Sequence, residues 1–103
     1  MPAATVTPTE YGYEITGDTG ATTINAGTLR VKALAFAGDN NNDTCALTTV
    51  VAGTAVSCYK FKVNSSDNDP PASYVYFGEK GVPMTGLTAT LNDADNILYV
   101  FIR

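Results

Sequence analysis

The chain has no histidine and no tryptophan among its 103 residues, and only two cysteines. Because histidine is the commonest general base and metal ligand, its absence disfavours catalysis. The three glutamates are scattered, no serine or cysteine lies in a recognisable nucleophile motif, and a domain of this size has little room for a glycosidase cleft. We therefore expect no enzymatic activity and no cofactor.

Positive charge and long apolar runs are also scarce. Six basic residues face ten acidic ones, and the net charge of −4 argues against binding nucleic acid through its phosphates. The longest apolar run, residues 97–102, is too short to span a bilayer, so we expect no membrane partner. The first eight residues contain neither a basic region nor an apolar stretch. We accordingly expect no signal peptide and synthesis in a cytoplasm.

Two cysteines are too few for a disulfide framework or a zinc site. Cys58 alternates in step with Lys60, whereas Cys45 alternates in step with Leu47. The turn residues indicate a hairpin about Gly53, and that hairpin would not pair the two cysteines directly. The sequence predicts two free thiols.

The residues that are abundant indicate an all-β fold. Short alternating runs rich in Thr, Val, Tyr and Ile are punctuated by Gly, Asn and Asp, with no helical periodicity. We predict one domain over residues 1–103: a small antiparallel β-sandwich or barrel of about seven to eight strands, jelly-roll or Ig-like. Pro2 and Pro8 cannot donate to a ladder, so residues 1–10 are predicted as an extended arm. The predicted strands are 11–15, 21–25, 28–36, 45–51, 55–63, 73–77, 82–91 and 97–102.

All seven aspartates lie in connections that alternate along the chain, namely Asp18, Asp39, Asp43, Asp67, Asp69, Asp93 and Asp95. If consecutive strands alternate in direction, these connections meet at one end of the molecule. Asp39, Asn41 and Asp43 have the spacing that opens an EF-hand loop, which makes them a weak candidate calcium site. Thr44 and Val50 stand where that loop needs glycine and glutamate, so turn formation is the favoured role.

Two groups of side chains are candidates for contacts. Tyr74 and Tyr76 share a strand face and would serve a protein interface or a sugar platform, although sugar platforms usually use tryptophan. Val6 and Pro8 of the arm complete the predicted interface. The basic residues also alternate, as Arg30 with Lys32 and Lys60 with Lys62. They would share one sheet face if their strands adjoin, but such residues are more often simply the solvent side of a strand.

Taken together, these features resemble the small β proteins that tailed bacteriophages place on their virions. The shared features are a short acidic chain without a signal peptide, a sequence rich in Thr, Asn and Gly, and strand character up to the last residues. Within that group the chain is most similar to head decoration, or cement, proteins. The resemblance implies a non-enzymatic structural protein on the capsid surface, often trimeric, which braces the major capsid protein or another virion protein. It transfers no site residue to this sequence.

Two alternatives remain open at the level of sequence. One is a carbohydrate- or cell-surface-binding β module of a phage fibre or a bacterial adhesin. The other is a tail-tube or neck subunit, for which the hairpin over residues 45–63 is a modest candidate for ring contacts.

Overall fold

The computed structural model describes residues 3–38, 43–62 and 72–103. They form an all-β sandwich of two antiparallel sheets, which confirms the predicted fold class. The described residues include no helix that could cross a membrane. The strands are β1 (Thr5–Pro8), β2 (Gly12–Thr16), β3 (Thr22–Val31), β4 (Ala33–Ala37), β5 (Thr44–Val51), β6 (Thr54–Lys62), β7 (Ala72–Tyr76), β8 (Val82–Leu91) and β9 (Ile97–Phe101).

The sheets enclose one core. The five-stranded sheet has the order β1-β2-β9-β4-β7, and the four-stranded sheet has the order β3-β8-β5-β6. Alternate residues of each strand point inward, as the period of two requires. Phe36 of β4 stacks on Phe61 of β6 across the sandwich, with ring centroids 5.7 Å apart. The core is therefore built from the inward faces of both sheets.

The segment predicted as an arm is extended, but it is part of the fold. Residues Thr5–Pro8 pair with β2 as an edge strand, with Val6 opposite Ile15. The amide of Ala4 donates to Thr22 Oγ1 at 2.7 Å, which ties the segment to the other sheet. The expectation of an unpaired arm is thus corrected. An edge strand tolerates Pro8 because one side of its backbone faces solvent.

Between β3 and β4 the chain passes from one sheet to the other across a single residue, Lys32. A strand break was predicted at Ala26-Gly27, and this prediction is wrong. β3 continues through these residues with shifts in register, and the amide of Gly27 donates to Asn25 Oδ1 at 2.7 Å. Lys32 pairs on entering the five-stranded sheet, where its amide donates to Phe101 O at 2.8 Å. A bulge near Gly27 lets the long strand bend without ending.

β8 is an inner strand, so the predicted edge position is wrong, and the extra residues in its register shifts with β3 lie in β3. Gly86 adopts a φ of 57°, a conformation that glycine tolerates best. Next to Gly86, the side chain of Thr49 takes the place of a backbone partner in the pairing of β5 with β8. Thr49 Oγ1 accepts from the Thr85 amide at 2.9 Å and donates to the Thr85 carbonyl at 3.0 Å. Pro83 is accommodated because the pairing between β5 and β8 ends at Thr48.

Both cysteines are free, as predicted. Cys45 is buried in the core opposite Phe61. Cys58 is the extra residue of a β-bulge in β6, since Leu47 pairs with Tyr59 and the next residue of β5 pairs with Ser57. The bulge places the two thiols at positions that do not oppose each other.

Candidate functional site

The strand registers place the described aspartate-bearing connections at one end of the sandwich. β2 ends beside the start of β9, at the pair Thr16–Ile97, and β4 ends beside the same residue, at Ala37. The turn carrying Asp18 therefore lies at the same end as the turn carrying Asp93 and Asp95. We call this the acidic end. The predicted clustering is confirmed for these residues, whereas Asp39, Asp67 and Asp69 lie outside the described residues.

Hydrogen bonds at the acidic end belong to turns and strand ends. Asn92 Oδ1 accepts from the Thr44 amide at 2.8 Å and from Asn96 Nδ2 at 2.9 Å. Asn92 Nδ2 donates to Asp43 Oδ1 at 3.3 Å, and Asp43 is buried. Asp93 Oδ1 accepts from the amide two residues later at 2.9 Å, as an Asx-turn does. The side chains thus join the start of β5 to the turn before β9.

The weak calcium candidate is only partly within the described chain. Asp39 and Asn41 lie outside the described residues, and Asp43 is the buried carboxylate that Asn92 contacts. Among residues 3–38, 43–62 and 72–103, no three His, Cys, Asp or Glu side chains are grouped so that they could hold a metal ion. Asp43 directly precedes β5, and its hydrogen bond with Asn92 lies at the start of that strand.

The four basic residues do not form one cluster on adjoining strands. Arg30 lies in β3 and Lys60 and Lys62 lie in β6, and these strands form opposite edges of the four-stranded sheet. Lys32 follows β3 and pairs with the other sheet. The strands do not adjoin because β8 and β5 lie between them. The condition for a shared cationic face, that the strands adjoin, is therefore not met.

The predicted interface residues lie at the two edges of the five-stranded sheet. Tyr74 and Tyr76, on β7, point outward and are 64% and 57% exposed. Val6, on β1, is half-buried and packs against the core, because it lies opposite Ile15 on the inward face. Pro8 is exposed at the end of β1. Of the four, the two tyrosines form a contiguous exposed pair.

The two tyrosines form one wall of a groove on the outer face of the five-stranded sheet. β4 lies between β7 and β9, and on this face it presents Ala33 between Tyr76 and Phe101. The next outward residue, Ala35, lies between Tyr74 and Tyr99 in the same way. Small residues on the middle strand and large rings on both sides leave a depression. Ala33 forms its floor and is only 4% exposed, although it lies outside the core cluster.

The groove has a volume of about 770 Å³, within the range of ligand sites. Its polar groups lie where β4 begins and β9 ends, opposite the acidic end. They include Lys32, Glu79, Arg103 and the side chain of Tyr11. Arg103 is anchored there because its Nη1 donates to the carbonyl of Glu10 at 2.8 Å. The groove therefore combines aromatic walls with two cations and one carboxylate.

The sequence indicated the β5–β6 hairpin only as a modest candidate for ring contacts, and the exposed apolar surface at its tip was missed. Val50, Val51 and Val56 are 38%, 57% and 40% exposed. The register pairs Val51 with Thr54 and Val50 with Ala55, so that apolar groups lie on both faces of the hairpin. The adjacent valines just before the Ala52-Gly53 turn carried this signal in the sequence.

Comparison with known proteins returns no match. No protein-family model, no curated protein and no solved structure matches the chain. The surfaces of the molecule are therefore the basis for its proposed function.

Proposed function

We propose that this protein is a non-enzymatic structural protein that works through protein–protein contacts, as a decoration (cement) protein on a tailed-phage head. Its partner in this proposal is the major capsid protein or another virion protein, and the chain itself is a homo-oligomer, a trimer. The observation that carries the proposal is the apolar tip of the β5–β6 hairpin.

The hairpin tip extends beyond the part of β5 that pairs with β8. Pairing between β5 and β8 runs from Cys45 to Thr48, while pairing between β5 and β6 continues to Val51 and Thr54. The distal residues of the hairpin are accordingly exposed on both faces. Valines in such a position lose little water on folding of the monomer, and exposed apolar patches of this kind mark interaction sites.

The rest of the molecule is compatible with a passive, contact-making role. The acidic end lies opposite the hairpin tip, since β5 runs from Thr44 beside Asn92 to the turn at Ala52-Gly53. In this proposal the hairpin tips of the trimer meet one another at the shell, and the acidic end then faces solvent. Like charge on exposed ends keeps decorated particles apart.

The proposal predicts that charge at the hairpin tip dissociates the oligomer. We expect the unmodified chain to sediment as a trimer and the double variant Val51→Asp/Val56→Asp to sediment as a monomer, because each carboxylate would lose its hydration in the contact. Sedimentation velocity over a concentration series measures both. Binding to phage heads that lack their decoration protein is measured by co-sedimentation, and we expect the double variant to lose it.

The matched control is Thr90→Asp, which adds a charge at an exposed position of the same sheet away from the hairpin. It should leave both the mass and head binding unchanged, and circular dichroism should show that all variants are folded. A chain that stays monomeric at high concentration, and that mass spectrometry does not find in purified particles, would contradict the proposal.

A further inference from the structure

The aromatic groove is independent of the hairpin tip and has the chemistry of a ligand site. It lies on the other sheet, and none of the three exposed hairpin valines lines it. Its walls stand on β7 and β9, two strand spacings apart, which is about 10 Å between backbones. An α-helix with its side chains is about as wide as that whole distance, so a helix does not fit between the rings. The groove is suited to a flat or narrow ligand.

The floor of the groove offers no backbone hydrogen bonds to a peptide. β4 is paired with β7 on one side and with β9 on the other. Its amides and carbonyls are therefore engaged in ladders, and an extended peptide lying over this face would keep its own backbone groups unpaired. A saccharide has no such backbone. Its hydroxyl groups can bond to the tyrosine hydroxyls and charged side chains that line the groove.

The walls and the end of the groove favour different parts of one ligand. The rings of Tyr74, Tyr76 and Phe101 provide apolar faces on which a pyranose ring can stack. Lys32 and Arg103 bring two cationic side chains to the lining, against the one side-chain carboxylate of Glu79. A guanidinium binds a carboxylate through two parallel hydrogen bonds, which makes Arg103 selective for a planar acid group.

We propose that this groove binds an acidic saccharide, with a pyranose ring on Tyr76 and the sugar carboxylate facing Lys32 and Arg103. The site goes beyond the structural role proposed above and does not depend on it. It would let the protein bind acidic glycans while the hairpin holds a protein partner.

The test uses two acidic probes, each with a neutral counterpart: trigalacturonate with its methyl ester, and sialyllactose with lactose. Titration calorimetry of the full chain should show binding of at least one acidic probe and at least tenfold weaker binding of its counterpart. Tyr76→Ala should weaken binding of that acidic probe at least tenfold. Arg103→Gln should abolish the preference for the acid over its neutral form, and added salt should do the same.

Two controls separate this proposal from the structural one. Val56→Ala, at the hairpin tip, should leave saccharide binding unchanged, and the dissociating variant Val51→Asp/Val56→Asp should also still bind the acidic probe. Failure of every probe to bind at millimolar concentration would overturn the proposal, as would unchanged binding by Tyr76→Ala. A loss of oligomer mass in Tyr76→Ala would overturn it too, because a second copy of the chain would then occupy the groove.

Discussion

Cys45 shows what burial does to a single polar group in this fold. The side chain is fully buried, and desolvation of the thiolate raises the pKa of Cys45 from 9.0 to about 12. The half-buried Cys58 has a pKa that is also raised by burial, against two backbone hydrogen bonds that lower it. At neutral pH the core thiol is therefore a small apolar group and a poor nucleophile.

The shifted pKa of Cys45 predicts a loss of stability in alkali. The folded state holds the thiol proton more tightly than the unfolded state, so this contribution is complete below pH 9.0 and is lost as pH rises toward about 12. We expect the free energy of unfolding in urea to fall as the pH rises from about 9 toward about 12.

Cys45→Ala provides the control, because it removes this one thiol and leaves every other side chain in place. Its free energy of unfolding should start lower, because the lost sulfur leaves a small cavity in the core, and it should fall less over the same pH interval. Equal slopes for the two proteins would contradict the assigned cause.

At the scale of the element, the turn of the β5–β6 hairpin has a backbone conformation that does not suit one of its residues. Its two central residues, Ala52 and Gly53, have φ values of 52° and 80°. Positive φ at both positions is typical of a type I′ turn, for which Asn-Gly is the favoured pair. An alanine in the left-handed region is strained by about 1–2 kcal/mol.

Replacing Ala52 should therefore stabilise the protein. We expect Ala52→Asn to raise the free energy of unfolding by about 1 kcal/mol, which corresponds to a rise in Tm of roughly 4–8 °C for a domain of this size. Thermal melting followed by circular dichroism measures the change. Ala55→Asn, an exposed position in β6 on the same hairpin, should give no such rise, and a gain shared by both variants would show that the turn is not its source.

The positions of the strands were largely predictable, because the alternation of apolar and polar residues can be seen within each short segment. Which strands pair with each other could not be predicted in this way. The runs around Tyr13, Leu47 and Val100 were assigned correctly from the period of two. The break at Gly27 was misplaced because a glycine in a bulge and a glycine in a turn have the same local signal. The true crossing at Lys32 has no turn residue at all.

The groove could not be predicted from the sequence, because it depends on the order of the strands in the sheet. The alternation of side chains gives no information about that order. The outward positions of Tyr74 and Tyr76 could be predicted from their spacing. That Ala33 would lie between Tyr76 and Phe101 followed only from β4 being placed between β7 and β9. A pattern of alternating alanines in β4 was visible in the sequence, but nothing local indicated which rings would flank it.

At the scale of the whole molecule, the acidic end raises the question of calcium. Its described oxygens accept hydrogen bonds within turns and strand ends, as at Asn92 and Asp93. Clustering of the aspartates then follows from strand direction, since turns that need aspartate recur at the same end. No ion is required to explain it.

We accordingly expect calcium to leave the stability unchanged. A site filled at a hundred times its Kd would add about 2.7 kcal/mol to the free energy of unfolding, and Tm would rise visibly. Melting in calcium, in magnesium at equal ionic strength and with a chelator should give one Tm. A rise in calcium alone would point to the residues 39–42, beside the weak candidate Asp43.

The crossing at Lys32 has a consequence for how the molecule comes apart. Its amide bonds to Phe101 and its carbonyl accepts from Phe77, while the preceding residue is still paired in the opposite sheet. No loop residues separate the two sheets at this crossing. A force that pulls one sheet away must therefore break hydrogen bonds of the other sheet at the same time. The sandwich should yield as a single cooperative unit, with early fraying confined to its edge strands.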